Sequence, residues 1–570
     1  MKQVITTQKV NCQDCHRCVR SCPVKAIGID SGHASVVLDK CILCGKCVVE
    51  CPQQAKKVEN QLEIVKQALA DGRKVVFSIA PSFVAAFKDL SFGQLRTLLK
   101  AMGAKAVEET AVGAAAVSKV YASLLETADY PVISCCCPVV TRLVEKYYPN
   151  LTGNLAPVVS PMIAHGRILK EKMGSDTFVV FIGPCIAKIA EGRDADLAGA
   201  IDAVLTFDHL QQWLSETPLY SNGIIPEDNV ALDTPGLSRF FPITGGILKS
   251  FTEHDETDTN VITVHGLQNC MDVFECLSNW EISPRFVEAL ACDGGCIGGP
   301  GIPLQSGTPV KRARVVHFAR QSQCAHLDFA LDSSAFDRHH AAEPVISLEP
   351  TEIEIREILA KTGKFTKADE KNCGACGYSS CREKAVAVWQ GLAEVDMCIP
   401  YMKSRAESFS NMVIDNSLNA IIVVDENMLI QEFNPASEKM FGHQVDLVKG
   451  TSLARIMDCS DLLYAVETQQ KLVARRVEYP ERSLITEQMI LPVREHKMVI
   501  LIITDISERE KQDQELQKVK METIDKAAEI INRQMHVAQE IAGLLGETTG
   551  ETKAALLDLV GLLKERDTRK

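Results

Sequence analysis

Cys12, Cys15, Cys18 and Cys22 stand before Pro23, and Cys41, Cys44, Cys47 and Cys51 stand before Pro52, so a C-x2-C-x2-C-x3-C-P pattern occurs twice. Three thiolates on so tight a loop can grip three corners of an iron–sulfur cubane, while the fourth is better placed for the other cluster. The spacing therefore predicts one 4Fe–4S centre on Cys12, Cys15, Cys18 and Cys51. A second falls on Cys41, Cys44, Cys47 and Cys22. A pair of zinc sites is the rival reading, but zinc takes four local ligands and does not suit the swapped fourth cysteine. Two clusters in one small module imply electron conduction.

Three more thiol-bearing stretches follow. They are Ser134-Cys135-Cys136-Cys137-Pro138, Gly183-Pro184-Cys185-Ile186-Ala187-Lys188-Ile189-Ala190-Glu191, and Glu288–Gly299 with Cys292 and Cys296. Soft sulfur ligands favour an iron–sulfur centre. Glycines around Cys296 let backbone approach a bulky group closely. Lys188 and Glu191 would supply a cation and a proton carrier beside Cys185. Each stretch alone reads as a buried structural cysteine or a glycine turn; the three together, downstream of the duplicated block, point to a shared centre. A last set, Cys373-x2-Cys376-x4-Cys381-x16-Cys398, carries Gly374 and Gly377 for a tight loop, and a helix over Arg382–Glu394 would bring Cys398 back. Its rival is a four-cysteine zinc knot.

The elements that must position these thiols are legible in outline. Val75–Ile79, Val132–Ser134, Phe178–Ile182 and Val261–Val264 read as short buried strands, and Leu62–Asp71, Val139–Tyr147 and Pro161–Lys172 as helices between them. Such alternation predicts α/β layering, with ligands at the carboxyl edge of the sheet. His339–Pro350 reads as a linker and Thr351–Lys361 as a helix. After Met402 cysteine nearly disappears. Asn419–Val424 and Leu429–Glu432 read as strands round a polar turn, Asn434–Phe441 as a capped helix, and Met489–Pro492 and Met498–Thr504 as later strands.

Composition narrows the class. A chain of 570 residues with 22 cysteines, no secretory leader and no apolar run of spanning length is expected to be cytoplasmic and metal-rich rather than disulfide-bonded. A formal net charge of −13 argues against nucleic acid or an anionic membrane as a general partner. Cys270, Cys276, Cys324 and Cys459 lack ligand spacing and read as core or surface thiols; Cys135 stays undecided.

The duplicated block resembles bacterial two-cluster ferredoxins, and the three central stretches look like the signature loops of FeFe hydrogenases, over roughly Val75 to His317. That resemblance implies a cubane on Cys137, Cys185, Cys292 and Cys296, with Cys296 also bridging to a two-iron unit that carries carbonyl, cyanide and azadithiolate: the H-cluster. Pro184, Lys188 and Gly295 would line it beside Cys296, Lys188 matching the lysine that contacts a cyanide. Cys136 matches the thiol that passes protons, and Glu191 a glutamate further along that route. The last cysteine set resembles a small 4Fe–4S domain of redox proteins, giving three clusters besides the H-cluster.

Departures point to the sensory subgroup of that family. Cys135, Gly183, Leu290 and Met162 replace a serine, two methionines and a glutamine of catalytic members, the acidic positions of a proton-path helix fall at Val120 and Tyr121, and a serine of that path falls within Leu155–Pro157. Slow turnover is expected, or another proton route through Glu108, Glu109 or His165, each of which reads on its own as a solvated surface side chain.

Arg405–Ser507 resembles a PAS domain, expected to bind no cofactor although His443 and His496 are present. A seam of Ile524, Ala528, Ile531, Met535, Ala538, Ala542 and Leu545 continues through Thr549, Thr552, Leu556, Leu559 and Leu563 as a coiled-coil pattern, which Gly543, Gly546 and Gly550 would break into a hairpin. His536 without an ATP-binding domain does not make a kinase. The expected architecture is multidomain α/β and α+β: a ferredoxin-like module at 1–60, an FeFe hydrogenase domain at 61–345, a small iron–sulfur domain at 346–402, a PAS domain at 403–507 and C-terminal helices at 508–570. The expected function is hydrogen sensing, with H2 and protons as substrates and redox state relayed to a PAS–helix output. The partners that follow are a ferredoxin-type carrier, a kinase or phosphatase effector, and a second copy through the PAS domain and helices. The alternatives are a metabolic ferredoxin-coupled hydrogenase and a non-catalytic iron–sulfur scaffold.

Overall fold

A computed structural model describes residues 3–30, 32–217, 220, 236–252, 260–303, 306–321 and 332–545. Cys324 and the seam beyond Leu545, with Gly546 and Gly550, lie outside the described residues. The chain divides into two compact units, Met1–Tyr401 and Met402–Lys570.

The first unit opens with two small antiparallel ladders, Ile5–Thr7 with Lys56–Val58 and Ile27–Asp30 with His33–Val36. Helices Arg17–Ser21 and Lys46–Val49 each follow the first cysteines of a repeat. The α/β part holds two parallel sheets. One has the order Ala106–Glu109, Val75–Ile79, Phe178–Gly183, Ala203–Thr206. The other runs Val261–His265, Phe286–Leu290, Val132–Ile133. Val75–Ile79 and Phe178–Gly183 are buried throughout, as the central strands of a sheet covered on both faces require. The strand read at Val261–Val264 is not: it forms over Val261–His265 as an edge strand, and only Val264 is fully buried. The helices Leu62–Ala70, Pro138–Tyr147 and Pro161–Met173 form as expected, the latter two starting on proline, whose fixed φ suits a first turn.

In the small iron–sulfur region Thr351 caps the helix Glu352–Lys361 with a reciprocal Thr351–Glu354 box. The helix expected over Arg382–Glu394 begins at Cys381 and stops at Trp389. Gly391 then turns the chain at φ +70°, and the short turn Val395–Met397 carries Cys398 back. A loop therefore performs the return assigned to a helix.

The second unit contains a five-stranded antiparallel sheet in the order Ile430–Phe433, Ala420–Asp425, Met498–Asp505, Leu484–Val493, Leu472–Tyr479. Asn434 caps the helix Pro435–Phe441, its Oδ1 accepting from the Ser437 amide at 3.0 Å. The inward residues Ile422, Val424, Ile430, Leu501 and Ile503 pack with Phe441 into a core of the unit's own. Leu472–Tyr479 and the helix Ser460–Thr468 escaped the sequence reading, because the former is a largely exposed edge strand reading Leu-Val-Ala-Arg-Arg-Val-Glu-Tyr with no clean alternation. Ser507–Leu545 is one helix of 39 residues. Among the described residues no helix is long and apolar enough to cross a membrane.

Candidate metal centre

The three central loops leave the carboxyl ends of parallel strands from both sheets. Cys135, Cys136 and Cys137 follow Val132–Ile133, and Pro138 then starts a helix. Cys185 follows Phe178–Gly183 and precedes the helix Ala187–Glu191. Cys292 and Cys296 follow Phe286–Leu290. Gly295 sits at φ +92°, and a Cβ there would come within 2.5 Å of the Pro242 carbonyl oxygen. Only glycine fits that turn.

The loops converge. The Cys292 thiol feels the charges of Cys185, Cys137 and Cys296, and Cys296 those of Cys137, Cys185 and Lys188. Burial pushes these thiols up, Cys185 to about 12 and Cys292 and Cys296 further. Such sulfurs ionise at neutral pH only against a strong cationic partner, which is what a metal cluster supplies. Beside them Cys136, Cys185, Lys188 and Cys296 line a cavity of about 80 Å³, with Thr110 and Met162 opposite.

Lys188 and Glu191 lie one turn apart on their helix, with Nζ donating to Oε2 at 2.7 Å. Burial alone would lower the lysine's pKa, but Glu191 outweighs it and the net shift is upward, so Lys188 stays charged. Lys188 Nζ also donates to the Cys136 carbonyl oxygen at 3.3 Å. The other oxygen of Glu191 accepts from Arg338 at 3.4 Å, and Arg338 reaches Asp194 at 3.3 Å. Arg338 was missed in the sequence, where a lone arginine after a loop carries no signal. Glu288 was read only as part of a motif; its carboxylate is fully buried, accepts from the amides of Gly245 at 2.7 Å and Leu248 at 2.9 Å, and is pushed up by burial to about 7.

Cys135 is a buried thiol facing away from the cavity's lining, donating to the Val158 carbonyl oxygen at 2.8 Å. The hydroxyl of Tyr121, which is fully buried, accepts from the Cys135 amide at 3.1 Å. Of the three candidates for another proton route, His165 and Glu109 are not surface side chains: both are buried, and Glu109 accepts from Arg239 Nε at 2.7 Å. Glu108 keeps a 16% exposed side chain.

The duplicated block brings Cys18 within the fields of Cys12 and Cys51, and gathers Cys41, Cys44 and Cys47 round Cys22. Cys15 is exposed. Amides of Ala26, Leu43 and Ala55 donate to Cys22, Cys41 and Cys51 sulfurs at 3.2, 3.4 and 3.3 Å, bonds of the kind that tune cluster potentials. The four cysteines Cys373, Cys376, Cys381 and Cys398 line one small cavity of about 30 Å³, and Lys364 Nζ lies 3.3 Å from Cys398 Sγ. Tetrahedral zinc, with bonds of about 2.3 Å, would hold four sulfurs ~3.8 Å apart. Among the described residues the one set of three ligating atoms within 4.8 Å of each other is Cys12, Asp14 and His33. Among the described residues no three sulfurs of a four-cysteine set come that close, a spread wider than a zinc knot holds.

Comparison with known families agrees. The model for the iron-only hydrogenase large subunit, C-terminal domain, matches residues 73–300; a 4Fe-4S dicluster domain matches 11–56, an Fe–S cluster model 369–400, and a PAS domain 408–477. The chain is an FeFe hydrogenase-like iron–sulfur protein with a PAS domain. Its hydrogenase-like part is similar to iron hydrogenase 1 of Clostridium pasteurianum, 24% identical over 378 residues, which cover 48% of this chain and 66% of that one. The periplasmic Fe hydrogenase large subunit of Nitratidesulfovibrio vulgaris is 26% identical over 222 residues, 31% of this chain and 52% of its own. This hydrogenase-like protein thus spans between about half and two thirds of the length of these relatives. A solved FeFe-hydrogenase from Chlamydomonas reinhardtii aligns with a TM-score of 0.38 at 19% identity, covering 50% of this chain and all of the other.

Proposed function

We propose that this protein senses hydrogen, reacting with H2 (H2 = 2 H+ + 2 e−) at an H-cluster and relaying the resulting redox state through its iron–sulfur clusters towards the PAS domain and C-terminal helix. The observation that supports this most is the meeting of Cys137, Cys185, Cys292 and Cys296 from three distant loops beside the buried Lys188–Glu191 pair. In this reading Cys137, Cys185, Cys292 and Cys296 would hold the cubane, and Cys296 would also serve the two-iron unit. That unit, when bound, supplies the open metal position and amine base for heterolytic cleavage, and the cubane the electron sink. Lys188, held by Glu191 and the Cys136 carbonyl, would offer a fixed ammonium to an anionic ligand of that unit. Cys136 carries protons at its Sγ on the cavity wall. Gly295 and Pro184 let backbone close over the group. Tyr121, standing where an acid would continue the family's proton route, argues for low turnover.

An electron route is supported by which cysteines lie within one another's fields. Cys44 is the cysteine of the duplicated block that Cys292 feels, so the cluster on Cys22, Cys41, Cys44 and Cys47 exchanges electrons with the hydrogen site. Tyr378 lies in the fields of both Cys376 and Cys22, and Lys25 donates to the Gly377 carbonyl oxygen, so that cluster also faces the third one. Cys398 of the third set immediately precedes the helix Ile399–Asp415, which leads along the chain to the first PAS strand. The partners in this reading are a ferredoxin-type electron carrier, a signalling effector and a second copy of the chain.

Infrared spectroscopy of the matured protein under hydrogen and under argon tests the reading. Bands of iron-bound carbonyl and cyanide that shift between the two gases are expected. Their absence would leave a non-catalytic iron–sulfur scaffold, and fast hydrogen evolution from reduced ferredoxin would make the protein a metabolic hydrogenase instead.

A further inference from the structure

Four polar side chains that the reading above leaves unused stand in a row between the cavity and the surface. Thr110 lines the cavity that Cys136 also lines. Its Oγ1 is 2.7 Å from Ser78 Oγ, which is 2.8 Å from His165 Nδ1. His165 Nε2 lies 3.6 Å from Glu108 Oε2, and Glu108, partly exposed, is met on its outer side by Lys172 at 3.1 Å. Ser78 and His165 are fully buried.

The fold builds this row from local rules. Ser78 and Glu108 are directly paired residues of neighbouring parallel strands, so their side chains leave the same face of the sheet. Glu109 turns to the opposite face, where Arg239 holds it. The helix Pro161–Met173 carries His165 onto the Ser78 face. It is pressed there by the helix Ala111–Thr127, which approaches so closely at Gly113 that a Cβ would fall 2.2 Å from the Pro161 carbonyl oxygen and 2.7 Å from His165 Cβ.

We propose that Thr110, Ser78, His165 and Glu108 form a proton path between the cavity and solvent; the proposal rests on the hydrogenase reading. Two observations favour a path over a purely structural network. A network built for stability closes on itself, because a buried polar atom without a partner costs about 1–3 kcal/mol. This one leaves His165 Nε2 buried and just beyond hydrogen-bond distance of the Glu108 carboxylate, a gap that a small turn of Glu108 closes. The family's own outward route is also blocked, with Tyr121 bonded to Cys135 and Glu191 held between Lys188 and Arg338. Nor is the trio a hydrolytic Ser–His–acid site, since Ser78 Oγ is enclosed and bonded to Thr110, with no room for a substrate. Each hop breaks one O–H or N–H bond and forms another. Thr110 Oγ1 takes up a proton from the cavity as its own passes to Ser78, Ser78 passes its own to His165 Nδ1, and His165 releases one from Nε2 to Glu108, which returns it to water. Rotation of the hydroxyls and the reverse tautomer shift reset the row; one proton crosses and no electron moves.

The test is the rate at which the Cys136 thiol takes up deuterium when the matured full chain is moved from H2O to D2O under argon. It is read from the S–H stretching band that Cys136→Ser removes. Thr110→Val, which keeps the side-chain volume, and His165→Gln, which keeps a hydrogen bond to Ser78 but cannot pass a proton through, are each expected to slow that uptake at least tenfold. Some loss of melting temperature is expected from the buried hydroxyl and carboxylate left with fewer partners, while the iron–carbonyl bands should not change. Uptake within twofold of the parent protein in Thr110→Val, with the bands present, overturns the path even if His165→Gln fails to fold. Missing carbonyl and cyanide bands in the parent protein overturn the hydrogenase reading itself, so the two failures are distinguishable.

Discussion

Lys188 Nζ lies 2.7 Å from Glu191 Oε2, and the two side chains are only 10% and 2% exposed. A charge pair so enclosed is costly to half-remove, because the remaining ion stays out of water without its partner. Glu191 also answers Arg338, which it shares with Asp194, so two cations meet one carboxylate.

Glu191→Gln is therefore expected to destabilise the first unit by about 3 kcal/mol, within the range for breaking a buried pair. Denaturant unfolding followed by cluster absorbance measures it. A change below about 0.5 kcal/mol, the level of an exposed pair, would mean the pair is not enclosed in solution.

Gly295→Ala puts a methyl group against the Pro242 carbonyl oxygen at a φ of +92°. The loop must then move, and Cys296 with it. We expect loss of the cubane at the hydrogen site, with the ferredoxin-module clusters retained, so iron per chain falls by about four when only cubanes are reconstituted. Unchanged iron content would show that the turn tolerates a Cβ.

Cys376→Ser should remove the third cluster alone. The expected signature is again a loss of about four irons per chain, together with the disappearance of any magnetic coupling between that cluster and the one on Cys22, Cys41, Cys44 and Cys47. Electron paramagnetic resonance of the reduced protein reads the coupling. A spectrum identical to that of the parent protein would contradict the closeness of the two sets implied by Tyr378, which lies in the fields of both Cys376 and Cys22.

Glu108 is pH-sensitive in a defined direction. Burial would raise its pKa, but His165 and Lys172 overcome that and bring it down to about 2. A carboxyl lowered on folding contributes stability above its unfolded value, near 4.5, and loses it as pH falls towards 2. Glu108→Gln should therefore cost up to roughly 3 kcal/mol at pH 7. The difference from the parent chain should shrink steadily below pH ~4.5. Denaturant unfolding of the metal-free chain at several pH values checks it; a pH-independent difference would assign the loss to packing.

Much of the site was legible because metal ligation leaves strict marks. Cysteine spacing, proline after the fourth ligand and glycine beside Cys296 are local requirements of cluster geometry, so they survive in one dimension. The central strands were legible for a related reason: a strand covered on both faces must be apolar throughout, as Val75–Ile79 is. The edge strands Ala106–Glu109 and Leu472–Tyr479 carry no such mark, since one side or face meets water. The helix after Cys381 was overextended because nothing short of Gly391 breaks its pattern, yet the chain must turn early to bring Cys398 to the other thiols.

By itself the sequence determined the kind of chemistry, the number of thiol sets and their order along the chain, because those are matters of residue type and short spacing. Only the tertiary structure decided which charges are enclosed and which groups meet. Arg338 reaches Glu191 across 147 positions, Tyr121 meets the Cys135 amide, and Ser78, His165 and Glu108 line up. Such contacts depend on sheet register and on helices touching at Gly113, where the partners are set by distance in space rather than along the chain.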